Sequence, residues 1–184
     1  MKGRMLKIAV LVGLCLIVLA TAGCSGQKTS TTGTTTAKTV LPVANNPIKN
    51  TATTEGLKIT EAMVENNVDS ATKKDLTDRL QVTLENTSAT AMGDLEIYYK
   101  MTDSVTKKSE GYYQKLTGLT LEPGKTATVY FDNETGAGHY PENKYSIYRT
   151  SNNEVVISIE VSSPGFKPAT FEVKKATGTG ETQD

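Results

Sequence analysis

Three hydropathy regimes follow one another along this 184-residue chain. Ile8 to Ala20 is an unbroken apolar run, Ser25 to Glu55 is poor in apolar side chains, and from Leu57 onward apolar residues recur at every second position. A period of two predicts strands with one face on a core and the other in water. Leu57 and Ile59 open a first strand that runs, through a bulge, to Met63 or Val64. Asn66 to Thr77 is a polar connection in which a helical turn around Ala71–Leu76 lacks an apolar stripe. Leu80, Val82 and Leu84 then alternate with Gln81, Thr83 and Glu85, and Leu95, Ile97, Tyr99 and Met101 with Glu96, Tyr98 and Lys100. Tyr112 to Leu116 is a shorter strand, followed by Leu119 and Leu121. Glu122-Pro123-Gly124-Lys125 is a turn, with Pro presetting φ and Gly supplying its positive value. Ala127, Val129 and Phe131 follow, then an open loop from Asp132 to Asn143. Tyr145 and Ile147, Val155 to Val161, and Ala169 to Val173 complete seven to eight strands with no convincing helix. The pattern predicts an all-β fold: a single antiparallel β-sandwich over residues 56–175, with a disordered Ser/Thr-rich linker at 24–55 and a disordered tail at 176–184.

The spacing Leu80-x-Val82-x-Leu84-x-Asn86-x-Ser88, then Leu95-x-Ile97-x-Tyr99, then Leu119-x-Leu121-x-Pro123-Gly124-Lys125 resembles bacterial immunoglobulin-like and fibronectin type III-like modules, most of all the CARDB and FxLYD groups of surface lipoproteins. The resemblance implies extracytoplasmic binding or adhesion and assigns no site. Tryptophan and a second mature cysteine are absent, so the antibody-type pin is missing.

The first 24 residues bear on location. Lys2, Arg4 and Lys7 precede the apolar run, and Ala20-Thr21-Ala22-Gly23 brings small residues up to Cys24, the order of a secretory signal peptide. A helix on that run spans only ~20 Å, short of the ~30 Å hydrocarbon core. Thr21-Ala22-Gly23-Cys24 followed by Ser25-Gly26 resembles the lipobox of bacterial and some archaeal lipoproteins, with Thr21 where that family usually has an aliphatic residue. The resemblance implies a signal peptide over 1–23 and a diacylglyceryl group on Cys24 that anchors the chain to the membrane. Two acyl chains suffice for stable anchoring. Ala20-Thr21-Ala22 is also an A-x-A site, and a cut before Gly23 would release a secreted product; an uncleaved anchor is the third option. The Thr-rich linker reads as a stalk, with Val40-Leu41-Pro42-Val43 the one apolar stretch able to dock on the following domain.

Charge excludes more than it assigns. Losing Lys2, Arg4 and Lys7 leaves 17 basic against 20 acidic residues, a net charge of −3. That balance gives no electrostatic case for nucleic acid, and Lys73-Lys74 and Lys107-Lys108 read as solvated pairs. Cys15 leaves with the leader, so Cys24 stands alone and no intrachain disulfide is expected.

Catalytic chemistry is hard to find. His139 is the only histidine, no G-x-S-x-G elbow accompanies it, and a solvated loop position is its simplest reading. Asp132, Asn133, Glu134, Glu142 and Asn143 offer oxygens to calcium but lack EF-hand spacing, so no metal or cofactor is assigned. Tyr98, Tyr130 and Tyr148 fall on the predicted outward faces of three strands, where they would make an exposed patch for a glycan or protein partner if those strands share a sheet. The expected function is non-catalytic: a membrane-anchored lipoprotein for binding, adhesion or envelope-complex assembly. The alternatives are an accessory subunit or chaperone-like domain of an exported machine and, more distantly, a hydrolase.

Overall fold

The structure is a computed structural model that describes residues 39–65 and 79–177. The leader, Cys24, the first part of the linker, the helical turn at 71–76 and most of the C-terminal tail lie outside the described residues.

Eight strands follow in order: β1 (Leu57–Glu65), β2 (Arg79–Asn86), β3 (Glu96–Asp103), β4 (Ser109–Lys115), β5 (Thr126–Phe131), β6 (His139–Tyr140), β7 (Val155–Ser162) and β8 (Ala169–Lys175), with one helical turn, α1 (Ile147–Thr150), between β6 and β7. They form two four-stranded sheets, ordered β1-β2-β5-β6 and β4-β3-β7-β8. The two sheets pack face to face as an immunoglobulin-like sandwich. Every pairing is antiparallel except β5 with β6, which is parallel.

The strand alternation arises from burial. Leu80, Val82 and Leu84 of β2, Val129 and Phe131 of β5, Ile97, Tyr99 and Met101 of β3, and Val155, Ile157, Ile159 and Val161 of β7 all lie in one buried cluster between the sheets. Each such side chain contributes roughly 1.5–3 kcal/mol by leaving water. At one end the filling is aromatic: Tyr99 stacks on Tyr112 with centroids 5.4 Å apart and meets Phe131 at 5.2 Å, and Phe131 meets Tyr140 at 5.9 Å. The β1 register shifts between Ile59 and Glu61, so the bulge falls at Thr60.

Polar residues that enter the interior are answered there. Asn86 is fully buried; its Nδ2 donates to the carbonyls of Thr90 and Leu121, both at 2.8 Å, and its Oδ1 accepts from the Ser88 amide and hydroxyl. Asp103, at the end of β3, accepts from the amides of Val105 (2.9 Å) and Thr106 (2.7 Å), the Ser151 hydroxyl and Asn153 Nδ2. The Ser151 hydroxyl first, then the Thr106 amide and the Asn153 side chain, hold its carboxyl well below the usual carboxylate range.

β8 runs on to Lys175, which is buried and donates from Nζ to the Ser151 carbonyl. Two expectations are corrected. Residues 145–150 do not form a strand: Ile147–Thr150 make the helical turn α1, with Arg149 and Thr150 amides both donating to the Ser146 carbonyl, and Ser146, Ile147 and Tyr148 are buried in succession. Finally, residues 39–55 are not a free linker. Val40 packs against the core cluster, Ile48 is buried, and the Val43 amide donates to the Gly111 carbonyl on β4 at 2.8 Å. Asn46 Nδ2 donates to Glu160 of β7 at 2.8 Å. Asn50 Nδ2 then donates to Ser162 Oγ and to the carbonyls of Ser163 and Phe166, at 2.7–3.0 Å. The segment is a strap across the outer side of the second sheet, from its β4 edge to the β7–β8 turn.

Candidate functional site

With the strap over the second sheet, the outer face of the first is the side to search. Its register aligns Met63 with Gln81, Gln81 with Tyr130, and Tyr130 with His139, a single cross-strand row. Gln81 Nε2 lies 3.5 Å from Met63 Sδ, and the Tyr130 and His139 rings stack with centroids 5.1 Å apart and planes at 21°. One row in, Thr83 and Thr128 share a hydroxyl hydrogen bond of 3.0 Å.

The end of that row is built by the loop after β5. Asp132 Oδ1 accepts from the Glu134 amide (3.0 Å), an Asx turn that bends the chain, and Asn133 takes φ +62°. Gly138, at φ +85°, passes so close to β5 that an added Cβ would stand 3.2 Å from the Thr128 carbonyl. The loop is thereby drawn back, the Tyr130 amide donates to the Gly138 carbonyl (2.8 Å), and His139 lands beside Tyr130. His139 Nδ1 lies 2.9 Å from Asp132 Oδ2, 3.1 Å from Oδ1, and 3.9 Å from Glu134 Oε2. The Asp132 side chain is wholly buried, His139 is about one-fifth exposed and Glu134 about half.

This corner was only partly legible. His139 is not a solvated loop residue; it is held by Asp132 and Tyr130. The five-residue oxygen set considered for calcium does not converge. Glu142 is buried in an ion pair with Arg149, Asn143 Nδ2 donates to Tyr112 Oη (3.2 Å), and Asn133 Oδ1 accepts from the Glu142 amide (3.0 Å). Asp132, Glu134 and His139 do converge: one donor atom from each lies within 4.8 Å of the others, a set able to hold a cation. As a catalytic pair Asp132–His139 lacks a partner, because among the described residues no serine, threonine or cysteine bonds to the ring.

The three tyrosines do not share a surface. Tyr148 is buried in α1, because that segment is a helical turn whose consecutive residues face the core. Tyr98 stands on β3 in the other sheet, half-buried in a shallow cleft with Pro42, Asn46 and Lys100. It lies over Gly111, where an added Cβ would meet Tyr98 Oη at 2.5 Å. Tyr130 alone faces outward on the first sheet, paired with a histidine instead of other tyrosines.

Other tyrosines have buried or bonded phenols. Burial pushes Tyr99 and Tyr112 above the ordinary phenol range, and the Glu96 carboxylate, accepting from Tyr113 Oη at 2.7 Å, is the main reason that Tyr113 is pushed up to about 12.

No family model matches the chain, and no curated protein matches it. Among solved structures it is similar to the archaellum periplasmic stator protein FlaG from Sulfolobus acidocaldarius, at 14% identity over 64% of this chain and 97% of that one, with a TM-score of 0.35. It is similar also to the archaellum periplasmic stator protein complex FlaF and FlaG from Sulfolobus acidocaldarius, at 12% identity over 71% and 99%, TM-score 0.36. A β-glucosidase involved in saponin metabolism from intestinal bacteria aligns at 20% identity over 66% of this chain but 16% of its own, TM-score 0.36. Likenesses as weak as these carry nothing from those proteins to this chain. Among the described residues no helix is long and apolar enough to cross a membrane.

Proposed function

We propose that this chain is a non-catalytic extracytoplasmic binding domain, held to a membrane by a diacylglyceryl group on Cys24 and engaging a protein or glycan through the outer face of its first sheet. The observation that carries the binding face is the asymmetry of the two sheets. The strap 39–55 spans the outer side of the second sheet, while the row Met63, Gln81, Tyr130 and His139 lies on the outer side of the first. An aromatic pair flanked by amide and hydroxyl groups offers ring faces for stacking and polar atoms for orientation, the combination that sugars and protein loops both use. The anchor rests on the order of charges, apolar run and Cys24 in the leader. Envelope-complex assembly is the form of this function in which the partner is one stoichiometric protein.

Two experiments test it. A Cys24→Ser chain is expected to leave the membrane fraction, and its retention at the wild-type level rejects lipid at this cysteine as the anchor. A Tyr130→Ala chain is expected to fold and to lose its partner in pull-down from solubilised membranes, where Tyr98→Ala retains it. Equal retention by Tyr130→Ala rejects the face.

A further inference from the structure

We propose that Asp132, Glu134 and His139 form a binding site for a divalent transition metal, zinc or manganese in chemistry, at the rim of the first sheet. Three observations meet there. First, the donors are of the right kind and spacing. A metal about 2.0–2.2 Å from each of three ligands keeps those ligands roughly 3–3.5 Å apart. His139 Nδ1 and Asp132 Oδ2 are 2.9 Å apart already; Glu134 Oε2 is 3.9 Å from the same nitrogen. Glu134 is half exposed, so a small rotation of its side chain closes the triangle.

Second, the charge at this corner is unbalanced. Two carboxylates approach one imidazole nitrogen, and even a protonated ring would offset only one of them. Asp132 is wholly buried, and among the described residues no lysine or arginine pairs with it or with Glu134. A buried carboxylate is costly unless it is hydrogen-bonded and paired. A hydrogen bond from His139 explains Asp132; it does not explain why Glu134 is turned toward the same nitrogen. A dication explains both.

Third, the mix of donors selects the metal. An imidazole nitrogen disfavours calcium and magnesium, which take oxygen ligands, and two carboxylates without thiolate disfavour the soft metals. In the bound form Nδ1 gives its lone pair to the metal and the ring proton sits on Nε2. Three protein ligands leave further coordination positions for water or for an oxygen of a partner.

The test uses the full-length chain in detergent without a polyhistidine tag, stripped with EDTA and titrated with zinc chloride. His139 is the only histidine, so its ring gives a single set of 15N and 1H resonances without assignment. The expected result is one zinc per chain by calorimetry, a displaced His139 ring 15N resonance, and broadening of the same signals by manganese chloride. Glu134→Gln, a half-exposed position whose change leaves the fold intact, should weaken zinc by at least about tenfold. His139→Ala should abolish the binding, and Cys24→Ser should leave it as in the wild type. His139 signals unmoved at saturating zinc overturn the site, as does a Glu134→Gln chain that binds zinc as tightly as the wild type. Loss of partner binding by Tyr130→Ala is a separate readout, so the metal site and the binding face fail independently.

Discussion

The two outer faces of this sandwich are made of similar residue types and are used differently. On the second sheet, Tyr98 and Lys100 share a shallow cleft with the chain's own residues 42–46, Asn46 donates to Glu160, and the Val43 amide donates to the Gly111 carbonyl at the β4 edge. On the first sheet, Gln81 Nε2 meets Met63 Sδ, Thr83 and Thr128 share a hydroxyl hydrogen bond, and Tyr130 stacks on His139. The difference lies in the ends of the strands. The strapped face is fastened by two asparagines: Asn46 donates to the Glu160 carboxylate, and Asn50 reaches the Ser162 hydroxyl and the Ser163 and Phe166 carbonyls. The other is framed by a loop in which buried Asp132 fixes a histidine. A sheet face is therefore not defined as a surface by its own alternation; what the flanking segments do decides it.

Several substitutions break or sharpen this contrast. The largest effect is expected where both faces depend on the same core. Phe131 touches Tyr99 and Tyr140, and Phe131→Ala should lower the unfolding free energy by about 3–5 kcal/mol, read by denaturant melts. Releasing the strap should cost less. Asn50→Ala removes three donated hydrogen bonds and an acceptor for the Ala52 amide, a loss of roughly 1–3 kcal/mol, with faster amide exchange confined to residues 43–56. Gly111→Val should cost a similar ~1–3 kcal/mol by pushing Tyr98 aside, and adding Tyr98→Ala should recover part of it.

Acid reaches the contrast from the end of β3. The Asp103 carboxyl is held below its unfolded value, so its contribution is full above the usual carboxylate pKa and is lost as pH falls from there through the folded value. Asp103→Asn should flatten that part of the stability–pH curve, measured as melting temperature against pH. Smallest of all is Lys167→Ala. Its ion pair with Glu55 is largely exposed, at 55% and 76%, and its loss should shift stability by less than about 0.5 kcal/mol.

Alternation carried the sandwich because burial and period two coincide in β2, β3 and β7. It failed where another rule governed. At α1, the N-cap Ser146 and then Ile147 and Tyr148 are buried in succession, and the alternating look of Tyr145 and Ile147 concealed a helical turn. The strap carries few apolar residues and is held mainly by side-chain hydrogen bonds of Asn46 and Asn50, which hydropathy does not register. His139 looked isolated because its partners, Asp132 and Tyr130, are brought to it by a parallel pairing of only two residues, too short to leave a pattern. A reading of Asp132-Asn133 as an Asx bend with Gly136 and Gly138 behind it was the available signal for that return.

The use of the two faces can be tested most directly by hydrogen–deuterium exchange on the full-length chain, compared between native membranes, where any partner is present, and the purified chain in detergent. The account predicts added protection in membranes over residues 126–140, with no change over residues 43–50. Protection confined to the strap, or none on either face, would contradict it.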